Sequence, residues 1–125
     1  MILDTNAVSA FFDGLLEVVE RLKQAPEVFI PVIVIGEYRY GLQSSREREE
    51  RELRFRGFCR TCHLLSVDEK TAGFYALVRH RLRIAGTPIP ENDIWIAALS
   101  LQHSQQIMSN DRHFDSVQGV TRVGW

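Results

Sequence analysis

Val28-Phe29-Ile30-Pro31-Val32-Ile33-Val34-Ile35-Gly36-Glu37 decides how the rest of the chain is read. By composition the apolar run has strand character, since Val, Ile and Phe favour a pleated, half-buried surface. Pro31 argues against one long strand. It has no N–H to give a ladder and would interrupt a central strand, whereas it suits the first turn of a helix. The expectation is therefore a strand over 28–30 and a helix from Pro31 to Gly41 or Gln43. With that choice, strand and helix alternate from the start.

Working outward, Met1 to Leu3 reads as a short buried strand. Helical segments follow over 7–12 and 15–25, separated by the turn signal Asp13-Gly14. Residues 46–56 alternate five Arg with four Glu, as a solvated helix laced by i,i+4 pairs does. Leu64 to Val67 is a third strand. Asp68 then caps a helix that reaches Ala85 and stops at Gly86. On it Phe74, Leu77, Val78, Leu82 and Ala85 share an apolar face. Arg79 and Arg83 lie opposite, and Arg81 snorkels from the apolar side. After a loop over 87–90, Glu91-Asn92 offers a cap for a helix from Asp93 to about Ser104. Gln106 to Met108 is a fourth strand, 112–114 a short helical turn and 120–123 a weak edge strand. This alternation predicts an α/β fold: a mainly parallel sheet of four or five strands, covered by helices on both faces.

The length of 125 residues fits one domain, spanning 1–125. A hydrophobic share of 45% is enough for a packed core and argues against disorder. The net charge of -1 means that a polyanionic partner must be met by a local basic patch or by bound cations, not by the overall field. All but two of the 15 basic side chains are arginine, the residue suited to bidentate phosphate or carboxylate contacts. Met1 leads straight into Ile2-Leu3-Asp4 with no basic, then apolar, leader, and no run is long enough to span a membrane. The expected location is the cytoplasm. Cys59-Arg60-Thr61-Cys62-His63 matches the c-type haem string, but haem attachment needs export. A zinc site would need a second ligand pair, which is lacking. The two cysteines are read as free thiols near a helix end.

In a parallel sheet, ligands gather beyond the carboxyl ends of the strands. Asp4 ends the first strand and Asp111 follows the fourth, after Ser109-Asn110. Asp93 opens a helix at the same edge, where the helix dipole favours a carboxylate. Glu37, one or two turns into its helix, can reach the same rim. Two carboxylates about 5 Å apart repel by roughly 3 kcal/mol at an effective dielectric near 20. A converging set cannot stay ionised without cations or protons, and oxygen ligands from short carboxylates suit Mg²⁺ or Mn²⁺ rather than zinc. Such ions activate water and stabilise charge on a phosphodiester. Asp13 and Asp115 are read as ordinary turn residues. His63, His80, His103 and His113 form no evident constellation, and His113 is assigned a structural or surface role.

Four blocks then occur in order: Ile2-Leu3-Asp4-Thr5-Asn6; Gly36-Glu37 with Gly41; Asn92-Asp93-Ile94-Trp95-Ile96-Ala97-Ala98; and Ser109-Asn110-Asp111-Arg112-His113-Phe114. Together they resemble the PIN-domain nucleases, and most closely the VapC toxins of bacterial toxin–antitoxin pairs. The resemblance covers essentially the whole chain. It implies a PIN-like three-layer fold and a Mg²⁺-dependent endoribonuclease, with Mn²⁺ able to substitute, acting on structured or messenger RNA. It implies Asp4 and Asp93 as principal metal ligands, Asp111 assisting, and Glu37 binding a second metal or orienting the attacking water. Thr5, Asn6 and Ser109 would position carboxylates or water, although family members more often carry Thr where Ser109 stands. A homodimer and a cognate antitoxin that occludes the site are implied partners.

Rival readings fit less well. A phospho-receiver domain would need an acidic pair after the first strand and a late Lys, yet no Lys follows Lys70. A haloacid-dehalogenase-like phosphatase would need Asp where Asn6 stands. A catalytically inert PIN-like module that binds RNA or protein remains the alternative, and a broken acidic set would favour it. Two further expectations complete the reading. Arg79 and Arg83 form a basic strip for RNA phosphates, and the antitoxin docks on the helices between Val32 and Arg56.

Overall fold

The computed structural model describes residues 1–125. Strand β1 (Ile2–Leu3) is followed by helices α1 (Thr5–Phe12) and α2 (Leu16–Gln24). Then come β2 (Phe29–Pro31), α3 (Val32–Leu42), α4 (Arg48–Cys59) and β3 (His63–Leu65). Helices α5 (Glu69–Ala85) and α6 (Glu91–His103) lead to β4 (Ile107–Met108), a 3-10 turn (Arg112–Ser116) and β5 (Arg122–Val123). The five strands form one sheet in the order β3-β2-β1-β4-β5, with every neighbouring pair parallel. Ile2, Leu3, Ile107 and Met108 are all fully buried. Adjacent strand residues point to opposite faces, so both faces of the central pair are covered.

The decisive run folds as β2 followed at once by α3, with one refinement. Pro31 is itself the last residue of β2, paired with Leu65, and precedes the first helical residue. Its φ of -66° and ψ of 143° close the strand at a point where a missing N–H costs little. Strand β3 begins one residue earlier and ends two residues earlier than its apolar composition indicates, because it can pair only as far as β2 extends. Val67 lies beyond that partner and is 39% exposed.

Helix α5 is bounded as its sequence indicates. The Asp68 carboxylate accepts from the Thr71 N–H at 3.0 Å, and the Asp68 N–H donates to Thr71 Oγ1 at 3.1 Å. Gly86, at φ 69°, closes the far end in the left-handed conformation that glycine adopts without cost. Its buried face is rotated from expectation. Thr71, Val78 and Leu82 are buried, Tyr75 stacks on Trp95 at 3.9 Å, and Leu77 and Ala85 face solvent. The rotation follows from packing against α6, which draws Thr71 Oγ1–H onto Gln102 Oε1 at 2.5 Å and the Tyr75 hydroxyl onto Glu91. Arg81 is exposed.

Helix α6 begins at Glu91, after Pro90, with no side-chain cap. Glu91 and Asn92 are therefore helical residues and not caps, and Asp93 occupies the first turn with its carboxylate free for other work. Ile94, Ile96, Ala97, Ala98, Leu99 and Ser100 are all buried, making this helix the spine of the core.

A candidate metal centre at the switch point of the sheet

The chain runs outward from β1 to β2 and β3, then crosses to β4 and β5 on the other side of β1. Strands β1 and β4 are thus neighbours whose connections leave in opposite directions, which opens a crevice at their carboxyl ends. Register fixes what lines it. Leu3 pairs with Met108, so the next residues, Asp4 and Ser109, emerge side by side.

Asp4 is 5% exposed, and both of its carboxylate oxygens accept hydrogen bonds. Oδ1 accepts from the Thr5 N–H at 2.8 Å; Oδ2 accepts from Ser109 Oγ–H at 2.6 Å and from Asn6 Nδ2 at 3.1 Å. Ser109 Oγ in turn accepts from Asn6 Nδ2 at 3.0 Å and from the Asp111 N–H at 2.9 Å. One hydroxyl therefore couples Asp4 to the backbone of the Asp111 loop. Thr5 Oγ1–H donates to Glu37 Oε1 at 2.8 Å, which joins α3 to the same network. Burial pushes the Asp4 carboxyl above its usual range against the opposing pull of these donors, and the charges of Glu37 and Asp111 push it further.

Across the crevice, Asp93 Oδ2 lies 2.9 Å from His113 Nδ1, and the same ring nitrogen lies 2.9 Å from Asp111 Oδ1. Burial raises the Asp93 carboxyl, reinforced by the charges of Asp4 and Asp111. This outweighs the lowering effect of the bond to His113. The bond to Asp93 raises His113 in turn. Donor atoms from Asp93, Asp111 and His113 all fall within 4.8 Å of one another, a spread suited to one cation. Asp4 and Glu37 lie outside that tight trio, though Asp4 shares its electrostatic field and Glu37 acts on Asp4. Two of the four predicted carboxylates, Asp93 and Asp111, thus meet with His113 in one trio, and the other two, Asp4 and Glu37, flank it.

His113 was not anticipated as part of this site. Its only sequence signal is its position two residues after Asp111; the 3-10 turn then folds its ring back onto α6. Arg122 is a second unanticipated member. Its guanidinium grips Asp115 through Nε at 2.8 Å and Nη2 at 3.0 Å, while Nη1 donates to the Ser109 carbonyl at 3.0 Å. Asp115 is therefore half of a bidentate pair, not merely a turn residue. Asn110 Oδ1 accepts from the Trp125 N–H at 3.0 Å, tying the last residues to the loop that carries Asp111.

Arg79 and Arg83 are less available than their sequence pattern indicates. Arg79 donates to the Tyr75 hydroxyl at 2.6 Å and to Glu91 at 3.3 Å. With Arg83 it lines a small cavity beside Ile89 and Ile94. The groove of about 360 Å³ that shares Thr5 and Glu37 with the acidic site runs elsewhere, between α1, α3 and α4. Arg51 and Arg54 line it, together with Phe12 and Tyr38. Cys59 and Cys62 are free, half-buried thiols whose burial raises them above the usual thiol range, which opposes reactivity.

Comparison with known proteins agrees with this architecture. Ribonuclease VapC4 of Mycobacterium tuberculosis is 30% identical over 93 residues, covering 73% of this chain and 72% of that protein. Ribonuclease VapC2 of Haemophilus influenzae is 29% identical over 126 residues, covering 98% and 96%. The crystal structure of VapBC2 from Rickettsia felis, bound to a DNA fragment from their promoter, superposes with a TM-score of 0.89 at 22% identity. It covers 99% of this chain and 97% of that one. The PIN domain family model matches residues 1–120, nearly the full length, and the chain therefore belongs to the PIN domain family.

Proposed function

We propose that the chain is a Mg²⁺-dependent endoribonuclease, with Mn²⁺ able to replace Mg²⁺, and the toxin of a VapBC-type toxin–antitoxin pair. The observation that carries this reading is the cluster of carboxylates at the switch point, with the His113 ring set between Asp93 and Asp111. Oxygen-rich, negatively charged and partly buried, this donor set fits a hard divalent ion. The names of the relatives support the choice of RNA as substrate.

In this reading Asp93 and Asp111 hold the ion, and Asp4 adds charge from a fixed position. When bound, divalent cations supply Lewis acidity toward water and the scissile phosphate. Thr5, Asn6 and Ser109 hold Asp4 in its orientation. Glu37 keeps Oε1 on Thr5, which leaves Oε2 to take a proton from the attacking water. Arg51 and Arg54 receive RNA phosphates in the groove that opens from the pocket, in preference to the pair Arg79 and Arg83.

The antitoxin occupies the surface of α3 and α4, where the groove adjoins the acidic rim; the known VapBC assemblies with this fold support such a partner. A homodimer is supported by the outer side of α5, where Leu77 and Ile84 stand 41% and 73% exposed. The reading sets the action in the cytoplasm, and no helix is long and apolar enough to cross a membrane. An inert binding module would not need an intact acidic set, and here Asp4, Glu37, Asp93 and Asp111 are all present.

The test is cleavage of an RNA substrate with added Mg²⁺. EDTA should abolish it, and so should Asp4→Asn or Asp93→Asn. Cleavage that persists in either variant contradicts the assignment.

A further inference from the structure

The His113 ring occupies an unusual place for a side chain with no assigned function. Its Nδ1 is 2.9 Å from one oxygen of Asp93 and 2.9 Å from one oxygen of Asp111, and so stands between the two carboxylates that the proposed metal centre needs. The imidazole is held there from two directions. Its own backbone N–H donates to Asp111 Oδ1 at 2.9 Å, and the following Phe114 is fully buried and anchors the turn. These contacts fix the backbone from which the ring projects toward the rim. Donor atoms that share one ion lie within about 4.4 Å of each other, twice a metal–ligand distance near 2.2 Å. The spread of 4.8 Å among Asp93, Asp111 and His113 meets that condition after a small side-chain rotation.

We infer that His113 is itself a ligand through Nδ1, and that the pocket therefore holds a first-row transition dication more tightly than Mg²⁺. This rests on the metal-dependent reading above and deepens it. An all-carboxylate pocket has little reason to discriminate Mg²⁺ from Mn²⁺. A neutral imidazole changes that, because nitrogen donors bind first-row transition ions well and Mg²⁺ poorly. One nitrogen among carboxylates leaves enough oxygen for Mg²⁺ to enter, at lower affinity. The ring then works in two states: with no ion present Nδ1–H bridges the two acids, and with an ion bound the neutral ring would carry its one proton on Nε2 and present the Nδ1 lone pair.

The experiment uses the full chain and Mn²⁺ as the probe. Binding is followed by the loss of the free-ion electron paramagnetic resonance signal, and Mg²⁺ is measured by competition. The wild-type chain should favour Mn²⁺ at least tenfold, and its Mn²⁺ complex should show pulsed-resonance modulation from a coordinated imidazole nitrogen. In His113→Gln, Mn²⁺ affinity should fall tenfold or more, Mg²⁺ affinity should stay within twofold, and the nitrogen modulation should vanish. Equal losses for both ions, or nitrogen modulation that survives in the variant, would overturn the inference. A melting curve of His113→Gln separates a folded variant from a damaged one, and the wild-type nitrogen signal decides the matter even if the variant fails to fold. Absence of RNA cleavage would count against the nuclease reading alone, since none of these readouts involves RNA.

Discussion

The two walls of the acidic pocket are built on opposite principles. The wall formed by β1 and the start of α1 holds Asp4 with neutral donors: a backbone N–H, a serine hydroxyl and an asparagine amide. None of these donors titrates near neutral pH, so the hydrogen bonds that orient Asp4 do not depend on a donor's charge state. The wall formed by α6 and the 3-10 turn holds Asp93 and Asp111 through one imidazole, a group whose charge and partners change with conditions. One wall is fixed in advance and the other adapts to its occupant. Under the proposed function, a site that binds and releases cations and then accommodates a phosphodiester gains from having both.

The comparison can be broken most directly at Asp93. Asp93→Asn should lower RNA cleavage by at least about a hundredfold, the scale lost when one preorganised electrostatic contact is removed. The same change should raise the melting temperature of the metal-free protein by about 3 °C. The sign follows from the raised carboxyl: its folded pKa lies above the unfolded one, so ionisation at neutral pH opposes folding, and an amide removes that opposition. A melting point that falls would show that the adaptive wall is not under charge strain.

Ser109→Ala tests the fixed wall. Its hydroxyl is fully buried and serves Asp4, Asn6 and the Asp111 N–H. Cleavage should drop by roughly 10- to 100-fold, as when a group that orients a metal ligand is lost. Stability should fall by about 1–3 kcal/mol, because buried partners are left unsatisfied. Denaturant titration of both variants sharpens the contrast: one should gain stability while the other loses it.

The basic residues beside each wall differ as well. Arg51→Ala with Arg54→Ala should weaken RNA binding by roughly tenfold and flatten its salt dependence, each phosphate contact contributing a slope of about 0.7 on single strands. Arg79→Ala with Arg83→Ala should change both much less, because Glu91 and Tyr75 already hold Arg79. Binding isotherms at several salt concentrations, with a cleavage-dead background, distinguish the two. A larger slope change in the second pair would move the RNA track to α5.

The smallest effect belongs to Asp68, a carboxylate far from both walls. Donors from Thr71 hold it below the usual carboxylate range. A lowered folded pKa gives stability above the unfolded pKa that is lost as pH falls through the folded one. Asp68→Asn should therefore lower the melting temperature at neutral pH and leave it nearly unchanged in strong acid. A deficit that persists undiminished in strong acid would mean that its charge plays no part.

Much of this was legible in the sequence because local chemistry carried it. Pro31 separated strand from helix by removing a donor, and Asp68 and Gly86 marked the two ends of α5. Asp4, Asp93 and Asp111 stood beside strand and helix ends, where a parallel sheet collects its ligands. What escaped depended on tertiary placement. The Arg79 partner, Glu91, lies on the next helix, across a loop. The role of Arg122 depends on β5 running alongside β4, and a basic residue in a weak edge strand carries no local signal for that. The face of α5 turned because Thr71 and Tyr75 found polar partners on α6, which outweighed the burial of Leu77. His113 escaped for the same reason: only the return of the 3-10 turn toward α6 reveals it.

The hydrogen bond from Ser109 to Asp4 joins residues 105 positions apart. It requires β4 to slot in beside β1, although the two strands are made about a hundred residues apart. An emerging polypeptide therefore cannot orient Asp4 until Ser109 has left the ribosomal exit tunnel. Such a chain carries its first carboxylate from the outset, yet that carboxylate lacks its serine partner until β4 has joined the sheet.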